Sequence, residues 1–83
     1  MEKVTELQNI GSALAVKLRR IGIENAEQLR ELGSEKAFSQ LKHLNPELEL
    51  SVLYSLEGAI MNIKWRFLGI DRKEELKNYF KTL

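Results

Sequence analysis

Apolar residues along this chain recur at intervals of three and four, and nowhere do they alternate with polar ones as a half-buried strand requires. Leu14, Leu18 and Ile21, joined by Ala15, share one face of a helix predicted over Ser12 to Arg20, with Gly22 placed to end it. Ahead of it, Val4 and Leu7 predict a short helix that stops before Asn9. Beyond the turn Gly22-Ile23-Glu24, Asn25 is placed to cap a helix with the stripe Ala26, Leu29 and Leu32. Gln28 completes a capping box there, and Gly33 ends the pattern. Ser34 is the next expected cap, for a helix built on Ala37, Phe38, Leu41 and Leu44 that Asn45-Pro46 interrupts.

The longest pattern runs from about Leu48 to Trp65. Val52, Leu53, Leu56, Ala59, Ile60 and Ile63 form its broad apolar face, and Tyr54, Gly58, Met61 and Trp65 a second stripe. A helix apolar on two sides is either the centre of a bundle or uses its second side against a partner, for which Tyr54, Met61 and Trp65 are the interface residues. Asp71, with Glu74 three positions on, is the expected cap of a final helix burying Leu76, Tyr79, Phe80 and Leu83. The pattern predicts one all-α domain over residues 1–83, a compact bundle of five to six short helices.

At this length a single core buries only about 60% of the unfolded surface, so modest stability is expected. The absence of cysteine removes disulfides, thiolate metal clusters and thiol redox chemistry. No apolar run reaches the length of a signal peptide or membrane span, so the chain reads as soluble and cytoplasmic. Thirteen Lys and Arg against twelve Asp and Glu give a net charge of +1. Any nucleic-acid contact must therefore be local, and a Kd of about 10⁻⁴ M or weaker is expected at physiological salt.

Candidate chemistry is sparse. His43 is the sole histidine and has no acidic cluster at ligand spacing, which leaves no basis for a metal site, a histidine-activated nucleophile, a cofactor or a small-molecule substrate. Glu24, Glu27 and Glu31 recur at helical spacing and read as a solvated face. Glu57, beside Gly58 in the longest helix, needs a cationic or hydrogen-bonding partner if it is buried, and Lys64 and Arg66 are the nearby cations.

The segment "LQNIGSALAVKL" carries the clearest functional signal. Gly11 supplies conformational freedom, Ile10 anchors the turn, and Ala15 lets two helices approach closely. The backbone N–H groups of Gly11, Ser12 and Ala13 stand at a helix start, where free donors and the helix dipole favour an anion. Leu7, Ile10, Gly11, Ala15 and Leu18 resemble the helix-hairpin-helix motif, while Gln8, Asn9 and Ser12 replace its first proline, first glycine and second proline. That resemblance implies DNA-backbone contact through Gly11, Ser12 and Ala13, with Lys17 and Arg20 as neighbouring cations. A purely structural reading stands beside it: Ser12 simply caps the helix, and Lys17, Arg19 and Arg20 form a solvated face.

Most of residues 5–80 is similar to the C-terminal domain of the TfoX (Sxy) family of bacterial competence regulators. The resemblance is carried by Asn9-Ile10-Gly11, Gly22-Ile23, Leu32-Gly33, "LYSLEGAI" with Trp65 after it, and "RKEELKNYF". It implies an all-helical domain with an N-terminal helix-hairpin-helix, SAM-domain-like element, a role in regulating DNA uptake, and no catalytic activity. Family members commonly carry an N-terminal mixed α and β domain that these residues lack, so a separately encoded partner or a homodimer is expected. Two functional readings follow: weak non-specific DNA association through the turn, or a protein-interaction module in which the hairpin is scaffold.

Overall fold

Residues 2–83 are described by a computed structural model. A 3-10 turn at Val4–Glu6 leads to α1 (Ser12–Arg20), α2 (Ala26–Leu32), α3 (Ser34–Leu44) and α4 (Leu50–Met61); a second 3-10 turn, Trp65–Phe67, precedes α5 (Ile70–Lys81). The only extended pairing among the described residues is an isolated antiparallel bridge between Lys3 and Asn25. It is reinforced by the bonds Val4 N–H to Glu24 O and Ala26 N–H to Glu2 O. No helix among these residues is long and apolar enough to cross a membrane.

The helices begin and end where local chemistry dictates. Ile23 N–H donates to Leu18 O and Gly22 N–H to Arg19 O, a Schellman closure that puts Gly22 at φ +88°. Asn25 caps α2 by accepting from Gln28 N–H at 2.9 Å, while Gln28 Oε1 accepts from Glu24 N–H rather than from the cap itself. The same closure ends α4 early: Asn62 takes the left-handed conformation at φ 60°, with Ile63 N–H bonded to Gly58 O and Asn62 N–H to Ala59 O. The predicted long helix therefore stops at Met61, and Ile63 and Trp65 lie beyond it.

Four other expectations need correction. The first predicted helix is a single 3-10 turn, so only one arm of the expected hairpin is an α-helix. Gly11 is extended at φ −91°, a conformation open to any residue, and the left-handed residue of the turn is Asn9 at φ 70°. Ser34 is the first residue of α3 and not its cap, because its hydroxyl is drawn 2.6 Å from Glu57 Oε1. α5 begins one residue before Asp71, which leaves that carboxylate in the first turn, near the positive end of the helix dipole.

α4 is the central helix, packed against α3, α5 and the second 3-10 turn. Val4, Leu18, Leu29, Phe38, Leu41, Leu53, Leu56 and Leu76 are fully buried, and each such apolar side chain is worth about 1.5–3 kcal/mol. Ala15, Ala37 and Ala59, also inaccessible to solvent, let the backbones approach.

Asn9 joins the two ends of this core. Its Nδ2 donates to Ile63 O at 2.9 Å and to Ser55 O at 3.3 Å, and its Oδ1 accepts from Trp65 N–H at 3.1 Å. Gly58 makes the seat: a Cβ there would stand 2.5 Å from Asn9 Nδ2, 2.8 Å from Ile63 O and 3.1 Å from Trp65 Cα. Gly58→Ala ordinarily favours a helix interior by about 1 kcal/mol. Here it is expected to lower stability by roughly 2 kcal/mol, because backbone atoms must give way. Urea unfolding checks this, with Ser51→Ala at an exposed position of α4 as the control expected to be neutral or slightly stabilising.

Candidate functional site

The turn that follows Asn9 is open to solvent. Gly11, Ser12 and Ala13 are exposed, and no side chain caps the amino end of α1. Ala13, Lys17 and Arg20 stand at i, i+4 and i+7 and so share one face of the helix, while Ser12 lies on another. Lys17 is half-buried and Arg20 exposed. Neither forms an ion pair among the described residues, and both sit in the last turn of α1, where their charge also complements the negative end of the dipole. The geometry can hold a singly bound oxyanion at the helix start, with a cationic stripe leading away from it.

The residues expected at a partner interface separate. The rings of Tyr54 and Trp65 stack on each other, with centroids 5.5 Å apart. Tyr54 Oη donates to Lys73 O at 3.3 Å, and the Lys73 ammonium lies 5.7 Å from the centre of the Trp65 ring. Met61 alone of the three is solvent-exposed. Glu27 and Glu31 lie exposed on α2, Glu24 lies outside that helix, and His43 is exposed on α3.

The strongest electrostatic feature is elsewhere. Glu57, with a side chain only 13% exposed, receives Arg72 Nε at 3.0 Å, Arg72 Nη2 at 3.2 Å and Ser34 Oγ at 2.6 Å. Arg72 Nη1 reaches Glu75 at 3.3 Å and Glu35 at 3.5 Å. The partner of Glu57 is thus Arg72 from α5 and not Lys64 or Arg66. Burial pushes the Glu57 carboxyl up, but the bonds from Arg72 and Ser34 and the Arg72 charge outweigh it, so the group sits below its ordinary value. The bond to Glu57 in turn raises Arg72. With both carboxylate oxygens occupied by donors, Glu57 is a link between α3, α4 and α5, not a base.

A sequence profile described as the TfoX C-terminal domain matches residues 1–80. The chain belongs to that family. It is 30% identical over 82 residues to protein Sxy of Escherichia coli strain K12, covering 99% of this chain but only 39% of Sxy. Its fold is similar to that of an uncharacterized protein from Listeria monocytogenes solved in a triclinic crystal form, with TM-score 0.94 and 35% identity over 96% of this chain and 91% of that one. A tetragonal form of a Listeria monocytogenes protein of unknown function gives TM-score 0.91 and 36% identity, over 94% and 96% of the two chains.

In this TfoX C-terminal domain the carboxyl of Glu57 titrates lower when folded than the value of about 4.3 usual for an unfolded chain. The stability it contributes is therefore complete above that value and lost as pH falls through the lower, folded one. Arg72→Met should cost roughly 2 kcal/mol at neutral pH, a figure reduced for partial exposure. The gap to the parent should narrow as pH is lowered through the folded-state titration of Glu57, where the carboxylate loses the charge that Arg72 pairs. Urea titrations in a series of buffers from neutral pH down into the acid range measure the gap; a gap that stays constant until the parent itself unfolds would remove the ion pair as its cause.

Proposed function

We propose that this domain is a non-enzymatic regulatory module of the competence type, acting in the cytoplasm through weak contact of its Gly11 turn with the phosphate backbone of DNA. The observation that carries the reading is the uncapped, exposed start of α1, continued by Ala13, Lys17 and Arg20 along one helix face. Backbone donors and a helix dipole recognise phosphate without reading bases, which matches a turn that offers few side chains. Support over a protein-docking reading comes from the aromatic stripe, where Tyr54 and Trp65 spend ring surface on each other. Regulation of DNA uptake is what kinship with the TfoX (Sxy) family implies for such a module.

A net charge of +1 keeps the affinity of one copy low, so useful occupancy requires a second copy or a second module. Sxy itself extends well beyond the part this chain covers. The test is a titration of isotope-labelled protein with a short duplex at two salt concentrations, followed by amide resonances. Gly11, Ser12 and Ala13 should shift at low salt, and binding should weaken roughly 40-fold between about 50 and 200 mM salt if about three phosphates are contacted. Lys17→Glu should abolish the shifts. Turn resonances that stay fixed at low salt would overturn the reading.

A further inference from the structure

Acidic residues are absent from two long segments. Residues 7–23 hold Lys17, Arg19 and Arg20, residues 58–70 hold Lys64 and Arg66, and neither stretch contains Asp or Glu. Together they carry +5 in a chain whose total is +1, so all the acidic charge lies elsewhere. Although distant in sequence, the two segments are fastened together by Asn9, through Ile63 O and Trp65 N–H. The junction encloses a shallow cavity of about 250 Å³ lined by Gln8, Asn9, Lys64, Trp65 and Arg66.

The second segment is presented stiffly. Trp65 is backed by Tyr54, and Lys73 Nζ donates to Arg66 O at 3.1 Å. Lys64 and Arg66 are exposed, and neither forms an ion pair with a carboxylate among the described residues. The ring of Phe67 is 66% exposed, with the Arg66 guanidinium 5.3 Å from its centre. The core gains little from a ring left so far in water. Cations alternating with an exposed aromatic on a fixed segment are the means by which proteins hold single-stranded nucleic acid: charge follows the backbone and rings stack on unpaired bases.

We propose that Lys64–Phe67 is a second arm of the nucleic-acid interface, with Lys64 and Arg66 on phosphates and Phe67 stacked on an unpaired base. The domain then prefers single-stranded DNA to intact duplex. The proposal rests on the reading of the Gly11 turn as a phosphate contact and names the form of DNA that the combined surface takes. An intact duplex offers the turn its phosphates but keeps its bases from Phe67.

Trp65 is the sole tryptophan, so its emission reports on this arm directly. The whole chain is titrated with an oligothymidylate of about 12 nucleotides and with a duplex of similar length, at low salt, reading Trp65 emission and the anisotropy of labelled DNA. Single-stranded DNA should bind more tightly and perturb Trp65. Phe67→Ala, at an exposed position where the fold is retained, should weaken single-strand binding about tenfold and leave duplex binding nearly unchanged. The paired substitution Lys64→Ala with Arg66→Ala should lower the salt dependence on single strands by roughly 1.4 in log–log slope. If these variants bind single strands as the parent does while Lys17→Glu weakens binding, the second arm is wrong and the turn stands. If the parent binds neither DNA, both readings fall.

Discussion

The left-handed backbone of Asn9 and the missing side chain of Gly58 are two halves of one contact. Asn9 can direct its amide into the end of the bundle because its φ of 70° turns the chain there, and because α4 leaves a gap at Gly58. The amide fills that gap and satisfies backbone groups that the early end of α4 exposes, the Ile63 carbonyl and the Trp65 N–H. Each buried group of this kind left unpaired costs about 1–3 kcal/mol. The contact therefore fixes three things at once: where α1 starts, where the chain leaves α4, and how the second 3-10 turn lies against the first loop. The surface proposed to meet DNA is a consequence of that fastening.

A neighbouring face of α4 is held electrostatically. Glu57 stands next to Gly58 in sequence, so one helix turn serves both fastenings: Gly58 receives Asn9, and Glu57 receives Arg72 and Ser34. A partly buried carboxylate is a poor source of stability on its own, since desolvation offsets much of the attraction. Its use here is geometric. A bidentate guanidinium allows little freedom in the placement of α5 against α4, and the Ser34 hydroxyl draws the start of α3 to the same point. Arg72 is thereby occupied with carboxylates, in contrast to Lys64 and Arg66, whose charges face solvent.

Local signals made much of this legible from residues alone. Gly22, Gly33 and Asn45-Pro46 mark boundaries through their own backbone preferences, and α1, α2 and α3 each end just before one of them as expected. The end of α4 was not legible, because Asn62 adopts the left-handed form only when a Schellman closure is available, and "NIKW" continues the apolar spacing without a break. Asn9 looked like a substituted motif glycine; its partners lie 46 to 56 positions away, beyond any local pattern. Gly58 was the available hint, a glycine inside a helical pattern, where the usual reason is close packing. Arg72 escaped because its carboxylate partner lies across a turn that the predicted helix had absorbed. The exposed positions of Gly11, Ser12 and Ala13 followed from the turn itself, whereas the pairing of Tyr54 with Trp65 depended on where α4 stops.

The central claim is that Asn9 holds the segment after α4 against the Gly11 turn, and amide hydrogen exchange at Trp65 tests it most directly. Asn9→Gly keeps the left-handed backbone accessible while removing the side chain, so it isolates the fastening from the conformation. Exchange of the Trp65 amide, and of its neighbours through Phe67, should accelerate in that variant while amides in the middle of α3 keep the protection set by global stability. A Trp65 amide as protected in Asn9→Gly as in the parent, relative to those α3 amides, would contradict the account.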